Sequence, residues 1–264
     1  MSSFYRWISE HGGLCKFLLF LALGAFTFYA ATLEYVNFLS IYLIDLAIWF
    51  IVGRIIAVAP TKLMEEPTVI CNQQCDPYPL LHEMEQMVAR KQNGPQQQLA
   101  EINYAMALRM VGENYKCAQI LERINIDRYP GISPYSKFVY YNNLSDVLFC
   151  LERPLEAKIW HRKAEQIYND LPESKMKQPL AEAFLLSQAQ AMYYDGDFDQ
   201  ALRKVAWIKL NSQRMVLDAA LLAAKCHISL EEPEKAREKL KYVVEHGNKL
   251  YIVEEAKALL ETLE

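Results

Sequence analysis

The chain is predicted to be all-α, with an N-terminal two-helix transmembrane hairpin followed by an α-solenoid of about four helical hairpins with capping helices. Three observations carry this. Two long apolar runs crowd the first sixty residues, and no comparable run follows. Beyond them nearly every segment has apolar residues at helical spacing, with few β-branched alternations. Gly and Pro punctuate those segments about every 15 to 20 residues, which fits helices of four turns or so joined by short loops.

The hairpin comes first. Phe17 to Leu33 contains no charged residue, and Phe38 to Ala59 contains two, Asp45 and Arg54. A bilayer core of about 30 Å takes ~20 helical residues, so spans are expected at about 15–33 and 38–58, within a membrane segment 1–59. Only Glu34, Tyr35, Val36 and Asn37 separate them, so the chain must turn straight back. Gly24, Thr27 and Ala31 form a small-residue stripe through which the first span can approach the second, or a second copy of itself as a homo-oligomer. Asp45 is a possible intramembrane polar site, since an acid inside a span is functional by default. Arg6, Lys16, Arg54 and Lys62 flank the spans and the intervening turn has no basic residue. The positive-inside bias then places both termini, and the domain that follows, in the cytoplasm.

Residues 60–77 hold Pro60, Pro67 and Pro77 and read as a juxtamembrane linker. Residues 78–264 form the helical domain. Its first helix is expected from about Tyr78 to Lys91 and its last from Tyr251 to Leu263, the latter with Glu254, Glu255, Lys257 and Glu261 outward. Between them four turns look alike. Gly196-Asp197-Phe198-Asp199-Gln200-Ala201 is the cleanest. Glu152-Arg153-Pro154-Leu155-Glu156-Ala157 and Glu231-Glu232-Pro233-Glu234-Lys235-Ala236 match it, and Gly112 to Ala118 matches with one extra residue.

These turns resemble those of the tetratricopeptide repeat, whose unit is two helices with a G-x-Y/F-x-x-A turn and small residues where the helices touch. Tyr141, Asn143 and Leu144 stand where that repeat has its W-x-N-L run, and Ala157, Ala164, Ala189, Ala201, Ala223, Ala224 and Ala236 take small positions. The resemblance covers roughly residues 96 to 247. It implies a stacked array whose concave face, lined by the first helix of each pair, binds a protein or peptide segment. With the hairpin it looks most like uncharacterised bacterial plasma-membrane proteins of this architecture.

On the repeat register the groove candidates are Asn142, Asp146 and Phe149 in the second unit and Gln190, Tyr193 and Tyr194 in the third, with Leu186 beside them. In the fourth they are Lys225, Asp218 and Leu221. Tyrosines give contact area at small entropic cost, and amides bond an extended backbone. The several Lys, Arg and Asn residues of a carboxylate-clamp array are not matched, since Asn142 and Lys225 stand nearly alone.

Little else in the chain suggests chemistry. There is no G-x-x-x-x-G-K or G-x-G-x-x-G loop to cradle phosphate. The five histidines are dispersed, and Cys71 and Cys75 form a C-x3-C pair without a second pair to complete a metal site. No cofactor, metal or catalysis is therefore expected. The three basic and three acidic residues before position 60 cancel, so the rest of the chain carries the whole net charge of −4. That balance gives no footprint for nucleic acid. The expected function is a membrane-anchored protein-interaction scaffold. The alternative is an accessory subunit of a multi-helix membrane transporter or protein-insertion complex, with the hairpin as its main surface.

Overall fold

A computed structural model of the chain describes residues 2–32, 38–90, 94–173, 177–209 and 211–263. The described residues contain only helices and their connections, and they fall into two units, Met1–Thr68 and Val69–Glu264.

The first unit holds α1 (Ser2–Ala31) and most of α2 (Phe38–Gln74). At ~1.5 Å per residue these helices are about 45 and 55 Å long. Both are long and apolar enough to cross a membrane. The expected turn at 34–37 lies outside the described residues. Few apolar side chains here are covered: Phe20, Phe28 and Phe50 are each more than 60 % exposed. The helices meet at three levels. Gly12 lies where an added Cβ would sit 2.8 Å from the Ile56 side chain, the Phe20 ring meets Trp49 edge-on at 6.4 Å, and the Thr27 hydroxyl donates to the Asp45 carboxylate. The small residue at a close approach is thus Gly12, whereas Gly24 faces open space.

Residues 60–77, expected as a linker, are helical as far as Gln74, because α2 continues through Pro60 and Pro67. Each proline withdraws one N–H from the ladder. Between them Lys62, Leu63, Met64, Glu65 and Glu66 are strong helix formers, and Lys62 pairs with Glu65 at 2.7 Å one turn on. The prolines outweighed these residues in the reading of the sequence.

The second unit is the array. A first helix, α3 (Tyr78–Ala89), precedes four pairs: α4 (Pro95–Met110) with α5 (Asn114–Arg123), α6 (Pro134–Cys150) with α7 (Pro154–Asp170), α8 (Gln178–Tyr194) with α9 (Phe198–Trp207), and α10 (Gln213–Ser229) with α11 (Pro233–His246). The last helix is α12 (Ile252–Glu261). Proline at the start of α3, α4, α6, α7 and α11 suits a position whose N–H has no helical partner.

All four turns close in one way. The N–H groups of Gly112, Glu152, Gly196 and Glu231 donate to the carbonyl three residues back, and those of the following residues donate to the carbonyl five back, the Schellman pattern. The turn residue needs positive φ in each case: 86° at Gly112, 54° at Glu152, 84° at Gly196 and 58° at Glu231. This alignment corrects the first turn. Its equivalent of Ala157, Ala201 and Ala236 is Cys117, which donates its N–H to Glu113 as those alanines do to Arg153, Asp197 and Glu232. There is no extra residue; Cys117 fills the small position and is fully buried.

Behind the turns the pairs stack on buried apolar side chains. Phe138, Tyr141, Leu144, Leu148 and Phe149 of α6 form the centre of one cluster, and Leu217, Leu240 and Val243 of another. The Tyr140 hydroxyl donates to the Leu121 and Ile124 carbonyls at 3.0 and 3.1 Å, and the Tyr141 hydroxyl donates to Asp127 at 2.6 Å, so Tyr140 and Tyr141 are structural.

Candidate functional site: a polar cavity lined by the first helices

One face of each first helix is set aside from the core. On α6 it carries Asn142, Asp146 and Cys150 at spacing of four; on α8, Ala183, Ser187 and Gln190; on α10, Arg214, Asp218, Leu221 and Lys225. Residues three, four and seven apart share a helix face, so these three stripes converge. Arg109 of α4 and Asn114 of α5 complete one side, and Tyr251 with Glu255 of α12 the other. Together they line a partly open cavity of about 170 Å³.

The cavity is bounded because the array's two ends meet. The Tyr251 N–H donates to the Met110 carbonyl at 3.1 Å. Gly112 admits the Tyr251 ring so closely that a Cβ there would lie 2.4 Å from it. The loop before α12 also holds the end of α2: Asn248 donates to the Gln74 carbonyl at 2.8 Å, and Lys249 pairs with Asp76 at 2.6 Å. Arg214 donates from Nε to Asn72 at 3.1 Å and pairs with Asp218 at 2.9 Å, tying the same segment to the cavity wall.

Three cations and three acids line this space. Arg214–Asp218 and Lys225–Glu255 are closed pairs. Burial works against the Lys225 charge, but Glu255 outweighs it and holds the amine above its ordinary value. The third cation and third acid do not close. Arg109 Nε and Asp146 Oδ1 are each shut from solvent and lack a hydrogen bond, as are the side-chain oxygens of Asn114 and Asn142. Asn142 donates its amide to the other Asp146 oxygen at 3.4 Å, which turns its own oxygen away from that carboxylate. Burial pushes the Asp146 carboxyl up to about 6, against the opposing influence of Arg109 and of the nearby Ser187 hydroxyl. Ser187 in turn meets His161 Nδ1 at 3.1 Å, and burial holds that imidazole below its ordinary value.

The residues expected in the groove divide. Asn142, Asp146, Gln190 and Lys225 line the cavity, as do Leu186, Asp218 and Leu221. Phe149, Tyr193 and Tyr194 do not. Phe149 is fully buried and stacks on Tyr194 with centroids 4.8 Å apart, while the Tyr194 hydroxyl donates to the Phe149 carbonyl at 2.7 Å. Tyr193 packs edge-on against Tyr194 and against Phe198. These aromatics occupy the last turns of α6 and α8, where neighbouring pairs stack, and their area is used between helices. Asp45 belongs to the first unit, with Thr27 on one oxygen and no hydrogen-bond partner on the other.

Arg109, Asn114, Ser187, Arg214 and Tyr251 were not foreseen, and Glu255, expected outward, faces Lys225 instead. One signal was available. Arg109 interrupts the apolar run Met106-Ala107-Leu108-Met110-Val111, and a cation at an inward position of a helix demands a partner.

No family model matches the chain, and no curated protein matches it. Among solved structures it is similar to Bacillus thuringiensis PlcR, in a crystal structure with the peptide PapR7 and DNA, at 15 % identity and a TM-score of 0.54 over 89 % of this chain and 81 % of that one. The fold is TPR-like and all-helical. That likeness reaches the fold alone.

Proposed function

We propose that this chain is a membrane-anchored interaction scaffold that holds a protein or peptide segment in the cavity lined by α4, α6, α8, α10 and α12. The observation that carries the reading is the polar wall: four buried polar atoms without hydrogen-bond partners belong to residues that line one space, and each costs about 1–3 kcal/mol until something bonds to it. A wall that served only packing would be apolar there. PlcR, which shares the fold, is a protein seen with a bound peptide. Anchoring rests on two helices with sufficient apolar length and uncovered apolar side chains. The basic residues Arg6, Lys16, Arg54 and Lys62 favour a cytoplasmic domain. In a bacterial plasma membrane, confinement to the surface would raise the effective concentration of the partner.

The alternative reading, an accessory subunit working through its hairpin, is favoured by one observation, the unpartnered Asp45 oxygen inside an apolar helix pair. A photo-crosslinking residue placed at Gln190 or at Leu21 of the full chain, in native membranes, separates the two. The scaffold reading expects a specific adduct from Gln190. Adducts from Leu21 alone would favour the hairpin, and silence at Gln190 would overturn the scaffold.

A further inference from the structure

The four unpartnered atoms differ in kind, and their kinds specify an occupant. Three are acceptors, the side-chain oxygens of Asn114, Asn142 and Asp146; one is a donor, Arg109 Nε. Asn142 and Asn114 are only 3 % and 8 % exposed. The remaining charges of the wall are already closed on each other in the Arg214–Asp218 and Lys225–Glu255 pairs. An occupant of matching chemistry therefore brings several N–H donors with one acceptor beside them. A carboxylate or phosphate brings none of the donors. A backbone amide brings one. A primary ammonium brings three, with no acceptor of its own. At an uncapped peptide N-terminus that ammonium sits on the same carbon as a carbonyl, which supplies the acceptor for Arg109.

Resting on the peptide-binding reading above, we infer that the cavity receives the free α-amino end of a peptide, its ammonium against the Asn114, Asn142 and Asp146 oxygens and its first carbonyl against Arg109. The Tyr251–Met110 and Tyr251–Gly112 contacts bound one side, where a through-running peptide would need an exit. The three oxygens are covered by the wall in the empty state, so binding requires their side chains to turn towards the ligand.

The ammonium group has two sources, an amino terminus or a lysine side chain, and three probes tell them apart. Alanyl-alanine amide carries the ammonium and adjoining carbonyl. Its N-acetyl form lacks the ammonium, and n-butylamine lacks the carbonyl. Titration calorimetry on the full chain in detergent should show the free dipeptide amide bound at least tenfold more tightly than the acetylated one, with n-butylamine between them. Asp146→Asn should remove most of the difference between free and acetylated probes. Equal binding of those two would overturn the inference while leaving the groove reading to the Gln190 crosslink. Butylamine as tight as the dipeptide would move the ammonium to a lysine and overturn the role given to Arg109. Binding of no probe would overturn it also. The probe series on the unmodified chain decides the matter even where D146N fails to fold.

Discussion

The two units handle the same material in opposite ways. In the N-terminal unit the apolar side chains face outward and a rare polar contact, Thr27 to Asp45, lies between the helices. In the array the apolar stripes are paired away and the polar groups gather around an internal space. Both are built from helices of ordinary period, so secondary structure does not distinguish them. What differs is the solvent each outer surface suits. The helices of the first unit leave Phe28 and Phe50 uncovered, an apolar outer surface that water disfavours, whereas a helix such as α6 buries Phe138, Tyr141 and Phe149 against neighbours and can leave its charged faces wet.

The sharpest way to break the array's side of this comparison is at Gly112. Alanine there meets positive φ, worth about 1–2 kcal/mol for a residue with a Cβ. It also meets the Tyr251 ring, an overlap worth about 1–3 kcal/mol more. Gly196→Ala meets the same φ but open space. Chemical denaturation should therefore rank G112A, at about 3–4 kcal/mol, well above G196A, at about 1–2. Combining G112A with Tyr251→Ala should bring its cost down to that of G196A. Equal costs for the two glycines would mean that Tyr251 does not hold the array's ends together.

The hairpin's side breaks at Leu21, which is exposed near the middle of α1. Arginine near the centre of a span costs about 2.5–3.5 kcal/mol of insertion free energy. Leu21→Arg should lower the fraction of full chain that resists carbonate extraction, while Leu155→Arg, at an exposed apolar position of α7, should leave it unchanged. A chain extracted by carbonate before any substitution would remove the anchoring reading altogether.

A pH series then probes the cavity without altering its shape. The Asp146 carboxyl ordinarily titrates near 3.8 and is pushed up to about 6 in the fold, mainly by burial. A raised acid binds its proton more tightly folded than unfolded, so ionising it destabilises the fold. That penalty is complete above about pH 6, shrinks as pH falls towards 4, and is gone below that. The two values correspond to at most about 3 kcal/mol. The groups around Asp146 are Arg109, Asn142, Ser187, Arg214, Asp218 and, further off, Cys117 and Cys150. Asp127 acts in a different window: Tyr141, Lys163 and Lys137 hold it well below the usual range, and its stabilising share is lost only as pH falls below about 4. Between pH 7 and 5 the unmodified chain should thus gain stability relative to Asp146→Asn. Parallel curves for the two would show that Asp146 is not buried as the structure has it.

How much of this was legible follows from range. The array was readable because its signals are local: apolar spacing, Gly or Pro at each turn, and a small residue five positions after the turn. Asp146, Gln190 and Lys225 followed, since each lies six residues before its turn on successive first helices, and Asn142 lies one helical turn before Asp146 on the same face. Phe149, Tyr193 and Tyr194 misled because residue type cannot say whether an aromatic near a helix end faces the groove or the next pair. The closure was not readable at all. It depends on Met110 meeting Tyr251 and on Asn248 and Lys249 meeting the end of α2, contacts that no local pattern encodes. Glu255 was misplaced because a charged residue on a terminal helix reads as solvated, and only the fold brings Lys225 of α10 opposite it.

The smallest expected effect tests whether the four turns are one device. Glu152 and Glu231 are exposed and occupy the left-handed conformation that Gly112 and Gly196 adopt freely. Relieving that strain yields about 1–2 kcal/mol, and the added freedom of glycine in the unfolded chain takes back about 0.5–1. Glu152→Gly and Glu231→Gly should each therefore stabilise the array by up to about 1 kcal/mol, raising Tm by roughly 2–4 °C for a domain of this size. Together they should add, because each turn closes through its own two backbone bonds. A loss of stability from either would show that its side chain holds a contact outweighing the strain, and that turn would then differ from the glycine turns in more than its residue.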